Sequence, residues 1–157
     1  MPAFDSPLRS LMPSVLDRLL DQQSMGTPGS GIPLNSIVEA VRRDVEALLN
    51  TRRNSDPELE RFPELSASMY TFGMPELVSR PALSGPEREA IGRLIADAIM
   101  RSEPRLRNVR TTLLSGKNVL ERQLKFRIEG TLRVDPSPGV EFETVLELSS
   151  GQAAVVA

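Results

Sequence analysis

Residues 124–134 alternate without a break between apolar and polar side chains. Leu124, Phe126, Ile128, Gly130, Leu132 and Val134 share one side, and Lys125, Arg127, Glu129, Thr131 and Arg133 share the other. The alternation stops at Asp135-Pro136-Ser137-Pro138-Gly139. It resumes with Val140, Phe142, Thr144, Leu146 and Leu148, against Glu141, Glu143, Val145 and Glu147. Successive side chains of a strand point to opposite faces, so two such runs around a Pro/Gly turn predict an antiparallel hairpin with one buried face.

The pattern also predicts a register. Val134 opposite Val140 sets Leu132 against Phe142, Ile128 against Leu146 and Phe126 against Leu148. The same register sets Arg133 opposite Glu141 and Arg127 opposite Glu147. A slip of one residue would destroy both sets of pairs. Exposed ion pairs contribute only ~0–1 kcal/mol each, so they choose the register more than they hold the fold.

Helical patterns come before the hairpin. Ser36-Ile37-Val38-Glu39 has the spacing of a capping box, and Ile37, Val41, Val45, Leu48 and Leu49 follow as one apolar stripe. Arg42, Arg43, Asp44 and Glu46 lie largely away from that stripe, and the helix is expected to end near Leu49–Asn50. Residues 54–65 read as a loop. Ala67–Gly73 reads as one helical turn before a bend at Gly73 and Pro75. Ser84-Gly85-Pro86-Glu87 opens a second helix with Ile91, Leu94, Ile95, Ala98 and Ile99 on its apolar face, and Pro104 stops it. Val109–Leu114 alternates as a first strand, Ser115–Asn118 turns, and Ala153–Val156 forms a short tail strand.

This order predicts an α+β fold: two main helices packed on one face of a small antiparallel sheet. Residues 13–22 add a short N-terminal helix with Met12, Leu16, Leu19 and Leu20 on one side, followed by a Gly/Pro/Ser-rich stretch to residue 34. The expected division is an arm and flexible linker over 1–34 and one α+β domain over 35–157. The arm either detaches or packs back on the core; both readings stand.

Composition removes several chemistries. There is no cysteine and no histidine, so no disulfide, thiol nucleophile or Ser/His triad, and few routes to a zinc site. A net charge of −2 implies no bulk attraction to nucleic acid or an anionic membrane. The start carries no signal-peptide pattern, and no run approaches the ~20 apolar residues of a membrane span. A cytoplasmic protein without direct membrane insertion is expected. Gly26–Gly31 lacks the lysine of a phosphate loop. Arg101, Arg105, Arg107 and Arg110 cluster without interleaved aromatics, which reads as a solvated basic edge rather than a nucleic-acid groove.

Sugar hydrolysis needs two carboxyl groups roughly 5–9.5 Å apart. Glu87, Glu89, Asp97, Glu103, Glu141 and Glu143 are available, but they fall at helix starts, polar helix faces and the solvated strand face. No pair is identifiable, and the chain has no tryptophan and one tyrosine to stack on sugars. The expectation is a protein that is not an enzyme and uses no cofactor or metal.

Three features can carry binding instead. Glu103-Pro104-Arg105 brackets a rigid proline at a helix-to-strand corner, where the arginine fork can clamp a partner or the protein's own helix end. The competing reading is a plain helix stop with two solvated charges. Arg52 and Arg53 are either partners of a helix dipole or interface anchors. The sheet edges can accept another chain's strand, unless the tail strand Ala153–Val156 covers the edge from within.

The segments Leu124–Pro138 and Val140–Gly151 together resemble the C-terminal part of the TssE family. These are type VI secretion baseplate subunits within the phage baseplate-wedge, lysozyme-like family. Ser14–Asp21, Leu48–Arg53 and Glu103–Leu106 are similar to the same family, in the expected order, and the Ala67–Gly73 region resembles a further family segment with a Tyr, Gly and Pro that fall here at Tyr70, Gly73 and Pro75. The resemblance implies a structural baseplate subunit. Its partners would be the wedge proteins TssF, TssG and TssK, the spike or hub, and the first layer of TssB/TssC sheath. It further implies that Glu103, Pro104 and Arg105 hold the wedge's helical core bundle, and that the sheet, similar to the interlocking domain of sheath proteins, templates the first sheath ring. A location at the cytoplasmic face of the inner membrane follows for the assembled particle. A peptidoglycan hydrolase and a phage-tail baseplate subunit are the alternatives.

Overall fold

The apolar stripe Ile37, Val41, Val45, Leu48 and Leu49 forms the buried side of helix α1, Leu34–Asn50, with each of the five at most 5 % exposed. Burying such a side chain contributes ~1.5–3 kcal/mol, so the stripe fixes which side of α1 meets the sheet. The computed structural model describes residues 34–57, 61–66, 68–76, 84–115, 123–133 and 137–156. The expected N-terminal helix over 13–22 and the turn at Gly116–Asn118 lie outside the described residues. Helix α1 begins two residues before Ser36, so Ser36 is not its cap. The Glu39 carboxylate accepts from Arg42 (2.7–3.1 Å) instead of closing a capping box. That bond holds the Glu39 carboxyl below the usual range.

Residues expected as loop contain a single helical turn, α2, Pro63–Ser66, started by a proline that needs no amide partner there. A 3₁₀ turn follows at Met69–Thr71, capped by the Ser68 hydroxyl, which accepts from the Tyr70 amide. Helix α3, Gly85–Ser102, has the predicted capping box: the Ser84 hydroxyl accepts from the Glu87 amide, and the Glu87 carboxylate accepts from the Ser84 amide at 2.9 Å. Gly92 lets α3 approach the sheet. A Cβ there would stand 3.1 Å from Thr111 Oγ1, which donates to the Gly92 carbonyl at 2.7 Å.

The four strands form an antiparallel meander in the order β1-β2-β3-β4: Leu106–Ser115, Gln123–Leu132, Gly139–Glu147 and Ala153–Val156. Helix α3 packs over β1 and β2, and α1 packs on β4 and α3. Both helices thus cover one face of the sheet. β1 begins earlier than the period-2 run implies. A bulge at Asn108, whose φ is +54°, shifts the register between Arg107 and Arg110 and lets Leu106 and Val109 both point into the core.

The hairpin faces are as the alternation predicts: Leu124, Phe126, Ile128, Leu132, Val140, Phe142, Thr144 and Leu146 are buried. The predicted register is not. Phe142 faces Ile128 rather than Leu132, Leu146 faces Leu124 rather than Ile128, and Val140 faces Gly130. Glu147 stands opposite Gln123, and Arg127 reaches Glu141 at 2.8 Å and Glu143 at 3.6 Å. The offset is even, so every side chain keeps its face. The bond from the Leu132 amide to the Pro138 carbonyl closes the ladder and sets Glu129, not Arg133, opposite Glu141. The Arg133 amide donates to the Arg105 carbonyl (2.8 Å), as a central strand alternates between its two neighbours.

Thr144 is 1 % exposed in the core, and its hydroxyl has no hydrogen-bond partner among the described residues. An unpaired buried hydroxyl is costly. Thr144→Val is expected to raise the unfolding free energy by ~1 kcal/mol, read as an unchanged slope and a higher midpoint in urea. A lower midpoint would mean that the hydroxyl has a partner.

Candidate functional site

The corner Glu103-Pro104-Arg105 follows directly from the end of α3. The Glu103 amide donates to the Ile99 carbonyl at 2.8 Å as the last helical bond, Pro104 stops the helix, and β1 starts at Leu106. Glu103 is 5 % exposed. Its carboxylate accepts from the Arg105 amide (3.0 Å) and Arg105 Nε (2.7 Å), and Arg105 Nη2 bonds both Glu103 and Asp44 of α1. The Glu103 hydrogen bonds raise the Arg105 pKa above its ordinary value against the opposing effect of burial, with Asp44 adding to the rise. The arginine fork thus ties the end of α3, the start of β1 and the middle of α1. The Arg133 amide on the Arg105 carbonyl adds the end of β2.

Of the two clamp readings, the one seen among the described residues is internal. Both charges of the triplet are engaged within the chain, and Asp44, expected to lie away from the core, is the unforeseen third member. What the corner presents outward is the exposed Pro104, flanked by exposed Arg101, Arg107 and Arg110. Of these, Arg107 donates to Ser137 Oγ at 2.9 Å.

Arg52 and Arg53 stand apart from this clasp and share no bond with it. The last carbonyls of α1 are met by neighbours other than these arginines: Asn50 Nδ2 donates to Glu46 O and Thr51 Oγ1 to Ala47 O. Arg52 points to Glu76, and the pair is largely exposed. The Arg53 amide donates to the Met74 carbonyl (2.7 Å), and the Met74 amide to the Thr51 carbonyl (2.8 Å), a short parallel bridge that anchors the connection after α1. Gly73 makes the bridge possible. Its φ is +114°, and a Cβ would lie 2.4 Å from the Thr51 carbonyl oxygen.

The sequence model of the baseplate wedge protein gp25 family matches residues 35–137, a span that holds α1, the bridge, α3, the corner and the first hairpin strands. The chain belongs to the baseplate wedge protein gp25 family. No curated protein and no solved structure matches it. The family supports a structural role in a phage-tail-type baseplate. No helix among the described residues is long and apolar enough to cross a membrane.

The two edges of this gp25-family sheet differ. β4 pairs with β3, so the tail strand covers that edge from within. The Glu147 amide donates to the Gln152 carbonyl, which fixes the phase of the ladder and turns the backbone groups of Ala153 and Val155 outward. All four outward groups meet side chains of α1. The Ala153 amide donates to Asn50 Oδ1 and its carbonyl accepts from Asn50 Nδ2, both at 2.8 Å. The Val155 amide donates to Glu46 Oε1 (3.4 Å) and its carbonyl accepts from Arg42 Nη1 (2.7 Å). At the other edge, among the described residues, no backbone group from Asn108 to Leu114 bonds beyond β2. A groove of about 580 Å³ runs beside that edge, between Gly85–Arg93 of α3 and Thr111–Leu113 of β1, with Phe126 at its floor.

Proposed function

We propose that the chain is the gp25-type wedge subunit of a type VI secretion baseplate, in the position of TssE, and acts there as a structural adaptor. The match over residues 35–137 carries this reading. TssF, TssG and TssK are the proposed wedge partners, with the spike or hub at the centre and TssB/TssC as the first sheath layer. The assembled site would be the cytoplasmic face of the inner membrane. The role of templating sheath falls to β1, because its outer backbone groups are open among the described residues while those of β4 are taken by α1. An incoming strand would pair with β1 through its backbone, and its inward side chains would meet the adjoining groove. Pro104 and the exposed arginines around it, together with Arg52 and Arg53, are the proposed wedge contacts, with Glu103 and Arg105 holding that surface in shape.

Four of the six carboxylates considered for hydrolysis are engaged elsewhere: Glu103 with Arg105, Glu87 with Ser84, and Glu141 and Glu143 with Arg127. Co-purification of the tagged protein from its own cells tests the proposal. Recovery of wedge and sheath proteins of a secretion system is expected, and their loss in an Arg101→Glu/Arg107→Glu/Arg110→Glu variant that unfolds normally would place the contact at this basic edge. Recovery of phage-tail proteins would move the chain to a phage-type particle. Recovery of neither would overturn the adaptor role.

A further inference from the structure

The β4 edge has an unusual composition. Exposed edge strands are commonly blunted by lysine, proline or a bulge, because their free backbone groups otherwise recruit another strand. Ala153-Ala154-Val155-Val156 carries no charge and no proline, and Val156 is 58 % exposed. The blunting comes from another element. Arg42, Glu46 and Asn50 recur every four residues and form one row along α1. Together they satisfy the outward amide and carbonyl of both Ala153 and Val155. The row is itself held in place, since Arg42 also pairs with Glu39 (2.7 Å) and Glu46 (3.0 Å).

We propose that Arg42, Glu46 and Asn50 are an edge lock, a row of side chains standing where a fifth strand would stand, and that what it excludes is β4 of a second copy of this chain. Two uncharged Ala-Ala-Val-Val edges are self-complementary, and antiparallel pairing across a two-fold axis would use the same four backbone groups on each copy. No like-charge pair on β4 would oppose such a contact. The lock leaves β1 as the one edge open to a strand among the described residues. It holds independently of the proposed baseplate role, since it concerns the copy-to-copy contact alone.

The test is the oligomeric state of the full chain carrying Arg42→Ala/Glu46→Ala/Asn50→Ala, measured by sedimentation velocity over a concentration series beside the unaltered protein. The expected result is a dimerisation constant at least tenfold tighter than that of the unaltered chain. Adding Ala153→Pro to the triple variant should return it to the unaltered state, because the Ala153 amide points outward and its loss blocks edge pairing without touching the β3 ladder. Association that persists with Ala153→Pro would assign the effect to general loosening and overturn the lock, as would a folded triple variant that associates no more than the unaltered chain. If the triple variant does not fold, Asn50→Ala alone frees both backbone groups of Ala153, and the same two outcomes decide.

Discussion

Glu103→Ala is expected to destabilise the protein by about 3–5 kcal/mol, the range found when one partner of a buried ion pair is removed. The substitution strips Arg105 of its principal acceptor and leaves it with Asp44, whose side chain is about one-third exposed. It also removes the acceptor of the Arg105 amide at the point where α3 becomes β1. For a domain of this size the melting temperature should fall by roughly 2–4 °C per kcal/mol. A loss under ~1 kcal/mol in urea unfolding, the range of a surface pair, would show that the clasp does not hold the corner. Asp44→Leu/Glu103→Leu/Arg105→Met should keep the fold, since a well-packed apolar replacement of a buried charge cluster is often neutral or better. That variant also separates folding from binding. Wedge proteins that co-purify with it normally would show that the triplet's charges are structural; their loss from a folded protein would show direct recognition.

Gly73→Ala is the second large effect, expected at about 2–5 kcal/mol from a positive-φ penalty combined with overpacking. At φ +114° an L side chain is strained, and the new Cβ would stand 2.4 Å from the Thr51 carbonyl and 2.9 Å from the Arg53 amide. Both contacts are backbone, so no rotamer change relieves them. Relief requires breaking the Met74–Thr51 and Arg53–Met74 bonds that close the bridge after α1. Hydrogen exchange should show the Arg53 and Met74 amides losing protection first. A variant that melts within 2 °C of the unaltered protein would mean that the bridge is not formed in solution.

The parts of the fold that were legible in the sequence depend on local periodicity. The α1 stripe, the Ser84–Glu87 capping box, the Pro104 stop and the two faces of the hairpin each follow from spacing within one element. Register was not legible because any even offset keeps the same apolar and polar faces, so alternation alone does not choose among them. Ser36 and Glu39 match a capping box in sequence, yet the helix starts at Leu34 and the pair falls inside it. A three-residue spacing alone does not locate a helix end.

The candidate site divides in the same way. Glu103-Pro104-Arg105 was legible as a corner, because proline and helix termination are local matters. Asp44 was not, since it lies 61 residues from Arg105. Arg42 and Glu46 read as lying away from the apolar stripe and Asn50 as the helix end, and only the position of β4 makes them partners of a strand 103 or more residues away.

That separation has a consequence for how the chain acquires its shape. The four strands are sequence neighbours in a meander, so each hairpin can form from contacts close along the chain, and such contacts form fast. The bonds from Asn50 to Ala153 instead close a loop of 103 residues, and joining distant segments carries a larger entropic cost. During synthesis the polar row of α1 leaves the ribosome long before its strand exists. A nascent chain stalled before residues 153–156 would therefore hold three of the four strands, with its first helix able to meet α3 but its Arg42, Glu46 and Asn50 row still without the strand it satisfies.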